Sequence, residues 1–595
     1  MKRIRLMLAV WFCIAAVSCS VPGEFHPKNS FNINFTPPNN TQVRGAFVFI
    51  VDGVNAEIFK QMLEAGELPA IKKYFVDRGL YVEKAVANVP SITLANLPSI
   101  ATGKFPGNHG VTGINWFDRQ KIFWRDYATI AQKNTLDGDY PQTKTIFELL
   151  PGEMTASLFC QAHRGASVFY ENRLSAGPAF FFGKYKLVDR ISLSRFSKLM
   201  KLSRKKKKFP LLVYNYTLCP DFYAYKYGSE SEKYKQALIH TDRQIGRVLA
   251  DAKRAGILDK IFIAFISDHS MGPVKGHFPM TKFLRSAGLA VATQRKSDRE
   301  NETARQKYFA RYNAISCTCG DRYTALYFRK PNWKVAPARY PNVDSQKPVP
   351  LALLDAERPF FDWPIRPSVA DLRHYPLYAQ PENSAERFFA DTQVALRSYK
   401  GARTKLRSKG VPVYSGNLFD ILVAQPAVDA IAWSVGKNRC CVRTKLGTAE
   451  IAQPGGQGKP IVYTVIAGRD PLGYGVPRVG ARKLRRSPRE WLSKTIDTNY
   501  PGILPGLVAY FRAPRAGDIA VFASPGWDFY SKNNAGHGGI RGYDDMCVPL
   551  IIAGPGIKRQ QRKTAYTVDL PATILQLLGK KVPADMDGKP LLPAR

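Results

Sequence analysis

The sequence is poor in negative charge. Its 595 residues hold only 47 Asp and Glu against 87 Lys and Arg, a formal net charge of +40. That balance excludes an acidic, self-solvating chain and favours anionic partners: phosphorylated substrates, nucleic acid or an anionic membrane surface. The surplus is spread along the chain. Its one tight run, Arg204 to Lys208, reads as an exposed loop, and no interleaved aromatics accompany it. A stacking platform for nucleic acid is therefore missing, and no specific nucleic-acid binding is expected. Past the N-terminus, no apolar run is long and charge-free enough to cross a bilayer as a helix. Cysteine is scarce as well: nine in all, less Cys13 and Cys19 in the leader, leaves seven, an odd number, so at least one stays unpaired. Cys317-x-Cys319 and the adjacent Cys440-Cys441 lack the second pair that a zinc knuckle needs. There is no internal repeat. A hydrophobic content of 45% with 23% charged residues is that of a folded globular protein.

The N-terminus reads as a targeting segment. Lys2, Arg3 and Arg5 precede an apolar run from Leu6 to Val17, too short to span a membrane, and Ala16-Val17-Ser18 offers small residues for cleavage. Ser18-Cys19 also resembles a bacterial lipoprotein cleavage site with Cys19 as the lipidated residue. The expectation is a signal peptide over 1–19, an Asn/Pro-rich tether over 20–43, and an exported protein, periplasmic or lipid-anchored.

From there the chain alternates between buried strands and helices. Ala46–Val51 (AFVFIV) is a continuous apolar run, as in a strand buried on both faces, and it ends in Asp52-Gly53. A helical pattern follows, with Ile58, Phe59, Met62 and Leu63 on one face and Gly66 as its stop. Leu211–Tyr216 (LLVYNY) is a second strand, followed by Cys219-Pro220-Asp221 and a helix over 231–252. Ile261–Ile266 (IFIAFI) runs into Ser267-Asp268-His269, and Val548–Ile552 (VPLII) follows a Gly-rich loop with His537. This rhythm predicts an α/β fold: a doubly wound, mostly parallel sheet with helices on both faces. Ligands of such sheets bind outside the carboxyl ends of the strands, where Asp52, Asp221 and Asp268 all fall. Over 282–503 the rhythm weakens and turn residues multiply. That stretch reads as an inserted cap or substrate subdomain, leaving 44–281 and 504–595 as the core. A closing amphipathic helix is expected over 569–578.

Three carboxylates on one rim repel each other unless positive charge lies between them. With His269 beside one of them and His537 in a Gly loop, they fit a divalent metal site of mixed Asp/His ligation, such as zinc. The stretch from Val89 to Asp118 supplies a nucleophile. It is rich in Pro, Gly, Thr, Asn and Ser, and predicts a short helix starting at Thr93 and ending at Gly103 and Pro106. A hydroxyl at a helix start faces the positive end of the dipole and free N–H groups, a setting that suits attack on phosphate. Thr93 alone is a weak nucleophile, and metal coordination is a way to activate it. Two ions about 4 Å apart would clamp the attacking and leaving oxygens of an in-line displacement. These parts predict phosphoryl transfer through a phospho-threonine, then hydrolysis.

The same residues carry a family likeness. DG after a buried strand, PSIT…TGKFPGNHG, PD, SDHSMG, a late GHGG with CVPLIIAGPGI, and the closing VDLPATILQLLGKKVPADMDGKPLL resemble, in order, the motifs of the alkaline phosphatase superfamily. The nearest likeness is to its type I phosphodiesterase/nucleotide pyrophosphatase branch, over roughly 44–280 and 505–592. The resemblance implies two divalent ions, most readily Zn2+. Asp52, Asp268 and His269 would hold one, and Asp221 and His537 the other. Thr93 would be the nucleophile, itself bridging to the first ion. Two departures stand out. Tyr225 replaces a His four residues after the Asp of the PD motif, so that a poorer ligand, or another group such as His277, would have to serve. Ile114 stands where an Asn binds a phosphate oxygen, with Asn115 next to it as the replacement. Arg164 lies where relatives place a basic phosphate contact. His109 is read as bracing its turn, and His163, His240 and His374 as packing or surface residues. Sulfatases share the fold but need a CxPxR-like motif, which is absent. The expected activity is hydrolysis of a small phosphate ester, such as a nucleotide, of phosphodiesterase/nucleotide pyrophosphatase type. The alternatives are a phosphomonoesterase of the same superfamily and a degenerate binding protein for an anionic ligand, which Tyr225 favours.

Overall fold

The computed structural model describes residues 45–593 apart from 130–131, 172, 207–208, 288, 293–300, 320–321, 331–365, 374–375, 379–412, 416, 477–478, 481–482 and 531–533. Residues 1–43, read above as a signal peptide and a tether, and His374 therefore lie outside the described residues.

An eight-stranded sheet forms the centre. In chain order its strands are β1 (Gly45–Val51), β2 (Gly79–Val86), β3 (Thr155–Leu158), β4 (Val168–Tyr170), β5 (Leu212–Thr217), β6 (Ile261–Ile266), β7 (Cys547–Ala553) and β8 (Gln560–Tyr566). Across the sheet they run β8-β2-β7-β6-β1-β5-β3-β4. Pairings are parallel except for β7, which is antiparallel to both β2 and β6. VPLII is as apolar as a parallel core strand, so its composition does not betray its reversed direction. The reversal has a consequence for the site. Residues that precede β7 emerge at the same edge as residues that follow β1, β5 and β6.

Side chains of β1 alternate between two cores, because successive Cβ atoms leave opposite faces. Ala46, Val48 and Ile50 pack with Leu97, Ile100 and Ala101 of α2 (Thr93–Thr102) and with Ile574 and Leu575 of the closing helix Asp569–Leu577. Phe47, Phe49 and Val51 pack with α1 (Ala56–Glu64), α4 (Tyr185–Lys206) and α6 (Glu232–Arg254). Helices cover both faces, as the alternating pattern predicts. Between β4 and α6 lie α3 (Arg173–Phe181), α4 and α5 (Cys219–Tyr227). The basic run differs in part from its reading as a loop: Arg204 to Lys206 lie in the last turn of α4, and 207–208 are outside the described residues.

The region of weaker rhythm builds a second, nine-stranded sheet. Many of its strands are antiparallel and half-buried, as in Ile461–Gly468, so short alternating runs replace the continuous apolar ones. One of its central strands, Ile519–Ala523, comes from beyond 503, in the stretch read as core. This sheet shares a hydrophobic cluster with Val89, Ile92 and Ala95, and so packs directly on the approach to Thr93. All seven cysteines of the described region are free and buried, so no disulfide staples either sheet.

Candidate active site

Thr93 is the first residue of α2, whose N-cap position, Ile92, makes no side-chain cap. The N–H groups of the first turn are thus left for another acceptor. Gly103 closes the helix in the left-handed conformation, as its place in the sequence predicts. Thr93 is only partly buried, whereas the groups behind it are almost wholly enclosed: Asp52, Asp268 and His269 are at most 2% exposed.

These side chains arrive from three strand ends. Asp52 follows β1, Asp268 and His269 follow β6, and Asp221 sits in the first turn of α5 after β5. Gly53 allows the approach. Its φ is +67°, and a Cβ there would lie 2.7 Å from Asp221 Cα. Ligand atoms of Asp52, Asp221 and His269 fall within 4.8 Å of one another. His269 Nε2 is 3.2 Å from Asp52 Oδ1, 3.8 Å from Asp221 Oδ1 and 3.8 Å from Asp268 Oδ2. It is 2.9 Å from Thr93 Oγ1. His269 Nδ1 lies 3.0 Å from the Ser270 carbonyl, which can only accept, so Nδ1 carries a proton and Nε2 is the atom presented to the cluster.

The electrostatics of the cluster are unbalanced without a cation. Burial, with the Asp268 charge next, pushes Asp52 up to about 7, and burial with the Asp52 charge pushes Asp221 up to about 8. Burial also raises Asp268. Burial opposes a charge on His269, but Asp268, Asp52 and Asp221 outweigh it and raise its pKa well above the ordinary imidazole range. Asp52 Oδ1, Asp221 Oδ1 and both oxygens of Asp268 are buried, and among the described residues His269 Nε2 is the donor-bearing atom they share, 3.2 Å from Asp52 Oδ1. Buried carboxylate oxygens around one imidazole nitrogen, with a hydroxyl at the rim, are a donor set that fits a hard or borderline divalent cation.

His537 joins from the other side of the sheet order. The two-residue strand Gly536–His537 pairs with Gly272–His277, the strand that follows the Asp268-His269 loop. The two imidazoles stack with centroids 5.5 Å apart. Burial, and then the charge of His269, lower His537 well below the ordinary range, so it is neutral. Its Nδ1 accepts from the Gly538 N–H at 2.8 Å. Tyr225 meets this ring edge-on at 6.1 Å. The position where the sequence reading expects a His thus remains beside the cluster, but as an aromatic neighbour of His537.

Three expected residues have other work. Asn115 donates to the Thr318 carbonyl at 3.0 Å and accepts from the Cys319 thiol, so its amide is turned into the second sheet. Arg164 is clasped by Glu148 at 2.9 Å and by the carbonyls of Asp137, Tyr140 and Thr143, with its guanidinium over the Tyr140 ring. Its donors hold the 137–148 loop rather than waiting for phosphate. His277 pairs with Asp528 at 2.9 Å and does not replace the missing His. His109 does brace its turn, bonded to Ser99 and to the Val111 N–H. His163 stacks on Phe169, and His240 lies against the Lys186 carbonyl.

The structure also adds residues. Tyr216 of β5 donates its hydroxyl to Asp52 Oδ2, fixing that carboxylate so that Oδ1 faces His269. Asp189 of α4 accepts the Leu218 and Cys219 N–H groups at 2.9 and 3.1 Å and seats the start of α5 next to Asp221. Arg322, in the turn between the second-sheet strands Ala314–Cys319 and Tyr323–Phe328, is 1% exposed. It pairs with Asp545 and reaches the His537 carbonyl at 3.3 Å. The Asp545 carbonyl in turn accepts from Ser91 Oγ at 2.9 Å, two residues before Thr93. The second sheet therefore props the His537 loop against the Thr93 loop. No motif marks Arg322, because it lies among 87 basic residues and its partner is 223 positions away.

A strand-end cluster of Asp and His beside a helix-borne Thr, on a mostly parallel sheet, resembles the alkaline phosphatase superfamily arrangement. The model of the type I phosphodiesterase / nucleotide pyrophosphatase family matches residues 46–326 of the chain. An uncharacterized pyrophosphatase/phosphodiesterase of Schizosaccharomyces pombe is 25% identical over 283 residues, 45% of this chain. The chain spans about half the length of that curated relative, 52%. Among solved structures, human ectonucleotide pyrophosphatase / phosphodiesterase 5 is similar at 12% identity, with a TM-score of 0.48, covering 91% of this chain and 96% of that one. The murine protein, in an inactive form complexed with AMP, is similar at 12% identity and a TM-score of 0.47, with the same coverage.

Proposed function

We propose that the protein is a metal-dependent hydrolase of phosphate esters, of phosphodiesterase/nucleotide pyrophosphatase type, with Thr93 as nucleophile. The observation that carries this reading is the Thr93 hydroxyl 2.9 Å from His269 Nε2, at the rim of a buried cluster of three carboxylates gathered around that one nitrogen. Asp52, Asp268 and His269 would hold one divalent ion, most readily zinc, and Asp221 and His537 a second. Bound ions would offset the carboxylate charge and lower the pKa of the Thr93 hydroxyl.

The chain's own residues do the rest. The uncapped start of α2 offers N–H groups to a phosphoryl oxygen, and its dipole favours the anion. Thr93 Oγ attacks phosphorus in line, the bond from phosphorus to the leaving oxygen breaks, and the proton lost by Thr93 is matched by the one the leaving alkoxide takes from water. Water then attacks the phospho-threonine and returns Thr93 with its proton. Tyr216 and Asp189 keep Asp52 and Asp221 in register through these steps. The substrate class is a small phosphate ester, a nucleotide among them. The apolar, basic N-terminal segment and its Ser18-Cys19 pair support export, with the mature chain periplasmic or held by a lipid at Cys19.

Turnover of a chromogenic phosphodiester and the matching monoester by chelator-stripped protein tests this reading. Restoration by stoichiometric zinc, with preference for the diester, is expected. Unchanged turnover in excess chelator would sink the metal-dependent reading. No turnover of either ester across several divalent metals would favour a binding protein, the outcome that Tyr225 in place of His makes specific.

A further inference from the structure

Three consecutive phenylalanines lie exposed at the junction of α3 and α4: Phe180 at 41%, Phe181 at 69% and Phe182 at 49%. Singly exposed apolar residues need no explanation, but a contiguous group does. The group continues as an aromatic ladder. Phe180 meets Phe222 at 5.0 Å, Tyr185 stacks on Phe222 at 4.4 Å, and Tyr185 leads through Tyr223 to Tyr227, itself 37% exposed. Of the seven exposed large hydrophobic side chains among the described residues, four therefore belong to this one surface.

Its charge is one-sided. Lys184 is exposed beside the phenylalanines, and α4 then carries exposed Arg190, Lys198, Lys201, Arg204 and Lys205. The sole acidic residue of α4, Asp189, is buried and spent on the N–H groups of Leu218 and Cys219. An apolar tip flanked by cations, with the exposed acids Glu230 and Glu232 confined to its Tyr227 end, matches the boundary of an anionic bilayer, where aromatic side chains enter the acyl edge and Lys and Arg meet the headgroups.

We propose that the Phe180–Phe182 tip and the basic face of α4 dock the protein on an anionic lipid surface. Phe222 follows Asp221 in α5, so the aromatic ladder reaches a residue next in sequence to the candidate site. The proposal is independent of the catalytic chemistry.

The test is co-sedimentation of the full-length chain, carrying Cys19→Ser so that no acyl group is attached. Vesicles of phosphatidylcholine with phosphatidylglycerol are compared with phosphatidylcholine alone. The expected result is binding to the anionic vesicles that weakens with salt. The double variant Phe181→Ser/Phe182→Ser should partition at least about tenfold less, because two side chains lose their burial. Turnover of a soluble chromogenic ester by that variant should be unchanged, which shows that it is folded. Absence of binding, equal binding to neutral vesicles, or undiminished binding by the double variant would each overturn the proposal. So would a vesicle-free dimer that the double variant abolishes, since the tip would then be a contact between copies of the chain.

Discussion

At Thr93 a hydroxyl, a helix start and an imidazole nitrogen meet, and each was visible separately in the sequence. The Pro/Gly-rich setting marked the helix, and the DG and SDH motifs marked the strand ends. Their meeting was not visible, because it depends on how β1, β5 and β6 align. Residues whose role is set by a distant partner were harder still. Asn115 and Arg164 sit at plausible offsets from motifs, but local hydrogen bonds claim both side chains. Arg322 and Tyr216 carry no motif at all. Arg322→Ala should strand the buried Asp545 carboxylate and cost about 3–5 kcal/mol, read as a lower melting temperature in thermal unfolding. It should also weaken zinc retention, because the His537 loop loses its prop. Full stability in Arg322→Ala would show that the second sheet does not support the site. Tyr216→Phe removes one hydrogen bond to Asp52 and should lower turnover more than it lowers the melting temperature.

At the scale of elements, the long apolar runs were legible and the direction of β7 was not. Buried strands of either sense look alike, and only pairing decides. The half-buried strands of the second sheet give only weak strand signals in the sequence for a related reason: alternation over a few residues is a faint signal. The contact between the end of β1 and the start of α5 offers a sharp test. Gly53→Ala adds a Cβ 2.7 Å from Asp221 Cα at a positive φ. Left-handed strain of roughly 1–3 kcal/mol is expected, with the Asp52 and Asp221 carboxylates forced apart. Activity should fall further than stability does. A Gly53→Ala protein with normal turnover and normal metal content would contradict the close-approach account.

For the whole molecule, the sum of buried charge sets how stability follows pH. Asp52 and Asp221 have folded pKa values of about 7 and 8, against ordinary values of 3.8. Between those limits the folded chain binds protons that the unfolded chain has released. Stability of the metal-free protein should therefore fall as pH rises from about 4 to about 8. His269, with its raised pKa, acts in the same sense: its contribution is complete below the ordinary imidazole value and is lost as pH rises through the folded one. Thermal unfolding of chelated protein across this range should show the decline, a shallower one in Asp221→Asn, and recovery on adding zinc at pH 8. A flat profile for the chelated protein would mean that the carboxylates are not held together as described.

The central claim is that Thr93 carries the chemistry, and its most direct test compares Thr93→Ala with the parent protein. Both would be loaded with zinc, with metal content and melting temperature checked first, on a chromogenic phosphodiester. The account predicts normal metal content, near-normal stability and turnover reduced at least about a thousandfold. Turnover within a few-fold of the parent would contradict it and leave the cluster without its nucleophile.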